Sequence, residues 1–110
     1  MTQDNTAQAL LILMVTPKLE ETLVDFLLRQ NAISGFTTTP ASGHGTGHSV
    51  GHGAVKLSLV EQVTGRQNRV QFMLHATLSI MQELIVVLKA EFEHTDMHYI
   101  LLPVLDANPI

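Results

Sequence analysis

Cysteine and tryptophan are both missing from this chain of 110 residues, and tyrosine occurs once. Without cysteine there is no disulfide, no thiolate zinc centre and no thiol nucleophile, so a transition metal has to be held by imidazole, carboxylate or backbone oxygen. Positive charge is scarce as well: six Lys and Arg stand against ten Asp and Glu, a net charge of -4. No basic cluster is present to track a phosphate backbone, which argues against nucleic acid as a partner. The longest uncharged apolar run, Ala9 to Val15, falls far short of the ~20 residues of a membrane helix, so no membrane insertion is expected. The first eight residues carry acid and amide side chains where an export signal has lysine or arginine, which points to a cytoplasmic address. Residues 1–8 read as a flexible N-terminus.

What remains is the composition of one folded domain, over residues 9–110: 45% apolar and only 15% charged. The mean hydropathy of +0.23 suggests that some apolar surface is covered by other subunits. Ala9 to Val15 is apolar throughout and reads as a strand covered on both faces, stopped by Thr16-Pro17. Thr16 is placed to cap a helix with Pro17 at its first position, and Leu19, Leu23, Phe26, Leu27 and Gln30 form one stripe along Pro17 to Gln30. The β-branched residues of Ile33 to Thr39 predict a second strand before Pro40. Val55, Leu57 and Leu59 alternate with polar neighbours as a strand arm, and Gly65 punctuates the chain.

Val70, Phe72, Leu74 and Ala76 then alternate with Gln71, Met73 and His75 in the period of a half-buried strand. Ile80, Met81, Leu84, Ile85, Leu88 and Phe92 recur at helical spacing, with Ser79 and Gln82 placed as a capping box. His98 to Leu105 closes the chain as a strand that Pro103 assigns to an edge. The order β, α, β, β, α, β predicts an α+β, ferredoxin-like sandwich. Its four-stranded antiparallel sheet has the first and third strands central and both helices on one face. Met73 and His75 point away from the helices, so subunits are expected to pack sheet to sheet.

Between Ser42 and Gly53 lie three of the six histidines and five of the seven glycines. Each glycine in a helix interior costs about 1 kcal/mol, so the segment reads as a mobile loop rather than a helical face. Neutral imidazole is the ligand type that Zn, Cu, Ni and Co favour, which makes His44, His48 and His52 candidate metal ligands. The alternative is a solvated linker that binds nothing specific. A flexible loop loses entropy on binding, which suits a sensor of moderate affinity.

The chain resembles the PII-like superfamily of small trimeric regulators, in particular a branch often encoded beside heavy-metal efflux systems. The resemblance rests on Ile33 to Thr39 running into Gly43-His44-Gly45, and on Glu61-Gln62-Val63-Thr64-Gly65-Arg66 followed by Arg69-Val70-Gln71. It implies a homotrimer with ligand sites in inter-subunit clefts, no catalysis, and a partner-contacting T-loop over residues 40–54. The partner would be an efflux component or a regulator of heavy-metal handling. Gly43, Gly45, Arg66 and Arg69 are then candidates for an anion, with an ion pair involving Glu61 as the alternative for the arginines.

Nucleotide-binding PII proteins carry a glycine- and lysine-rich phosphate loop between the second helix and fourth strand, where this chain has Glu93-His94-Thr95-Asp96-Met97-His98. That leaves a nucleotide as the second choice of ligand, and a structural interaction module or a metal buffer as further readings. His98 is a further metal candidate, contributed from a neighbouring subunit, while His94 is expected to face the carboxyl end of the second helix. His75 has no assigned role. No serine, histidine and acid form a nucleophile motif, and no paired carboxylates argue for acid/base work.

Overall fold

The computed structural model describes residues 7–45 and 66–110. His48, His52, Glu61 and the arm containing Val55, Leu57 and Leu59 lie outside the described residues. Strand β1 (Gln8–Val15) leads through a single 3-10 turn (Pro17–Leu19) into helix α1 (Glu20–Leu28). Strand β2 (Thr37–His44), strand β3 (Arg66–Thr77), helix α2 (Leu78–Glu91) and strand β4 (His98–Val104) follow. The sheet is antiparallel with spatial order β2-β3-β1-β4, so the first and third strands are central, as expected. This is an α+β architecture of ferredoxin-like order.

The core lies between the sheet and the two helices. Ala9, Leu11, Leu13 and Val15 from β1 meet Val70, Phe72 and Leu74 from β3, and Leu23, Phe26 and Leu27 of α1 and Met81, Leu84, Ile85 and Leu88 of α2 close over them. Apart from Ala9, each such side chain contributes about 1.5 to 3 kcal/mol when fully buried. Two ring pairs pin the loops to this layer: Phe26 meets Phe92 edge to face at 5.5 Å, and Phe36 stacks on Phe72 at 5.8 Å.

Four expectations shift. Among the described residues β1 is covered on one face only, since its burial strictly alternates and Leu10, Ile12 and Met14 are half-buried. Gln8 belongs to β1, paired with Thr77 and Val104, and not to a flexible terminus. The second strand starts at Thr37 and passes through Pro40, which pairs with Val70. An edge strand tolerates proline because its outer backbone groups need no partner, and β3 extends back to Arg66 to receive this strand as far as His44. Residues 40–44 are therefore strand, and not the opening of a loop.

The caps also differ. Thr16 makes no side-chain cap, although Pro17 does open the 3-10 turn. Helix α2 is capped by Thr77, whose hydroxyl accepts from the Ile80 backbone amide at 3.4 Å. Ser79 lies two residues inside that cap and does not start the helix.

Candidate functional site

The helix-free face of the sheet is ordered by register. Leu10 lies between His75 and Leu102, Ile12 between Met73 and Ile100, and Met14 between Gln71 and His98. At the Met14 end this face drops into a cleft of about 190 Å³ lined by Met14, Ser42, Gly43, His44, Gly45, Gln67, Arg69 and His98. Five residues expected from sequence to bind a ligand, Gly43, His44, Gly45, Arg69 and His98, thus converge on one depression from β2, β3 and β4. Gly43 pairs with Gln67 across the β2–β3 ladder, and His44 with Arg66.

A polar chain forms one wall. Arg69 donates from Nη2 to Asp96 Oδ2 at 2.9 Å and to Gln67 Oε1, and from Nη1 to the Asn68 carbonyl at 3.0 Å. The other Asp96 oxygen, Oδ1, lies 3.0 Å from His98 Nε2. The Arg69 and Asp96 side chains are 10% and 5% exposed, whereas that of His98 is 59% exposed. Because the Asp96 carboxylate accepts from Arg69, it accepts from His98 as well, so Nε2 donates in this contact, and in the neutral ring Nδ1 keeps its lone pair. The sequence shows Asp96 and His98 two apart, but only the fold brings Arg69, 27 positions away, to the same carboxylate.

The Arg69 guanidinium is thus engaged by Asp96, Gln67 and the Asn68 carbonyl, and its ion pair within the described residues is with Asp96. Arg66 begins β3 and is exposed at the β2 margin. His94 stands just past the end of α2, exposed, with φ 67° and Nε2 3.4 Å from Glu93 Oε2. His75 is exposed on the helix-free face. Among the described residues no three His, Asp or Glu side chains come together as a metal cluster. Met14 and Gln67 were not singled out from sequence; alternation along β1 and β3 places both on the helix-free face.

A second cleft, of about 200 Å³, opens on the other side of the sheet, where Leu13, Ile85, Leu88, Phe92, Met97 and Tyr99 form apolar walls. The Lys89 ammonium stands 5.3 Å above the Tyr99 ring at its edge. It contains no histidine or carboxylate.

A family model described as "Protein of unknown function (DUF3240)" matches residues 5–110. The chain belongs to the DUF3240 family. A crystal structure of a DUF3240 family protein from Shewanella baltica OS155 superposes with a TM-score of 0.70 over 94% of this chain and 96% of that one, at 16% sequence identity. That likeness shows a common DUF3240 fold. No curated protein matches the chain. Among the described residues no helix is long and apolar enough to cross a membrane.

Proposed function

We propose that this DUF3240 chain is a PII-like regulatory or sensor protein that takes up a transition metal ion, Zn, Cu, Ni or Co, through its glycine- and histidine-rich segment and signals to a partner in heavy-metal handling. The observation that carries this reading is the convergence of Gly43, His44, Gly45 and His98 on one cleft at the strand end from which that segment departs. Histidines of two strands, His44 and His98, line it, and the sequence supplies His48 and His52 within eight residues of His44. Binding would order the segment and change the surface offered to an efflux component or a regulator, an order-disorder switch rather than catalysis.

The same reading makes the protein a homotrimer. Its support is the helix-free face, where Met73, Leu102 and Ile100 are 38%, 41% and 54% exposed in the single chain. An apolar face of this kind marks an interaction surface.

Equilibrium dialysis against Zn, Ni, Co and Cu(II) tests the metal assignment: the wild type retains at least one of these ions, and a His44, His48, His52 to Ala triple variant loses that retention. Equal retention by both proteins, or none by either, overturns it. Calorimetry with ATP, ADP and AMP in metal-free buffer is expected to give no heat. Heat there would move the assignment to a nucleotide in the inter-subunit cleft.

A further inference from the structure

The cleft contains a soft donor that no count of histidines or acids reveals. Met14 and His98 are register partners on β1 and β4, which puts their side chains on the same face of the sheet with Cβ atoms about 5 Å apart. Both line the cleft. With Nε2 donating to Asp96 Oδ1, Nδ1 is the acceptor of the neutral ring. A carboxylate behind a histidine in this way fixes its tautomer and ring orientation, the arrangement found behind metal-ligating histidines. Asp96 is itself held by Arg69 at 2.9 Å, so the orienting group is fixed, and the guanidinium charge nearest the cleft is neutralised.

We propose that Met14 Sδ and His98 Nδ1 form a binding site for a soft monovalent d10 cation, Cu(I) or its analogue Ag(I), with Asp96 as the positioning residue for His98. The proposal rests on the metal reading given above and narrows it. Thioether sulfur is a poor ligand for Zn or Co but selects Cu(I), and imidazole serves copper equally well. Cu(I) accepts low coordination numbers, so two protein donors make a competent site where three hard ligands are not assembled. A remaining position is open to a donor from outside the pair. No electron is transferred: the ion is bound and released as Cu(I).

The experiment is anaerobic competition for Cu(I) against a colorimetric Cu(I) chelator, using wild type, Met14→Leu and His98→Ala. Leucine conserves the volume of methionine and removes only the sulfur, and His98 is exposed enough for alanine to be tolerated. Each variant is expected to lose Cu(I) affinity by roughly tenfold or more, at least the loss that outer-shell changes produce. Zn retention in Met14→Leu stays at the wild-type level. Cu(I) affinity unchanged in Met14→Leu overturns the proposal, as does no Cu(I) binding by the wild type. Zn retention that depends on His44, His48 and His52 beside unchanged Cu(I) affinity in Met14→Leu would sink this site alone and leave the broader metal reading standing.

Discussion

Asp96 joins the two sides of the polar chain behind the cleft, because its two oxygens serve Arg69 and His98 separately while the side chain is 5% exposed. Removing one member of a buried pair strands the other charge, whereas replacing both with apolar groups of similar size is often neutral or better. Asp96→Ala should therefore lower the unfolding free energy by about 3 kcal/mol, while Arg69→Met combined with Asp96→Leu should return to within about 1 kcal/mol of wild type. Urea unfolding of the three proteins checks this. A loss of less than about 1 kcal/mol in Asp96→Ala would mean that water screens the pair and that the site is softer than its geometry indicates. This residue also marks where sequence reading ran out. His98, His44 and the flanking glycines stand out as types and spacings, but nothing local announces that Arg69 reaches across the sheet to Asp96.

The elements differ in legibility for the same physical reason, the strength of local period against the pull of a neighbour. Strand β3 and helix α2 carry clean periods of two and of three to four, and both appear where alternation and stripe place them. Strand β2 has no apolar alternation, since its residues Thr37 to His44 include one proline and one glycine, and its position is set by the length of β3. Ile33 and Phe36, the apolar residues that mark an earlier strand in the sequence, pack against the core from irregular backbone instead. Helix starts are a subtler case. Ser79 and Gln82 have the spacing of a capping box, yet Thr77 has the extended backbone of an N-cap, φ -62° and ψ 154°, and its hydroxyl takes the Ile80 amide. Thr77→Ala should cost about 1 kcal/mol and Ser79→Ala only a few tenths. Thermal or urea unfolding decides between them, and a larger loss in Ser79→Ala would restore the capping box.

At the scale of the molecule, the described residues cover the sheet on one side only. Helices α1 and α2 bury the face of Leu11, Leu13, Phe72 and Leu74, while the rows Leu10–His75–Leu102 and Ile12–Met73–Ile100 face away from them. Continuous apolar sequence in β1 suits a strand with neighbours on both faces, and the described residues of one copy supply only one of them. The proposed trimer, packed sheet to sheet, would supply the other, and it would bring the Met14–Gln71–His98 row, and with it the cleft, to the margin of a subunit contact. Ile12 and Ile100 sit together in the middle row, so a carboxylate at either would be desolvated without a partner on assembly, a cost of several kcal/mol per ion. In the free chain both positions retain access to water, so the fold itself should tolerate the change. Sedimentation equilibrium is expected to give three chain masses for the wild type and one for Ile12→Asp with Ile100→Asp, with unchanged far-UV circular dichroism. A wild type that sediments as a single chain, or a double variant that stays assembled, would show that this face is not what joins the copies. The cleft would then have to bind its ion within one chain.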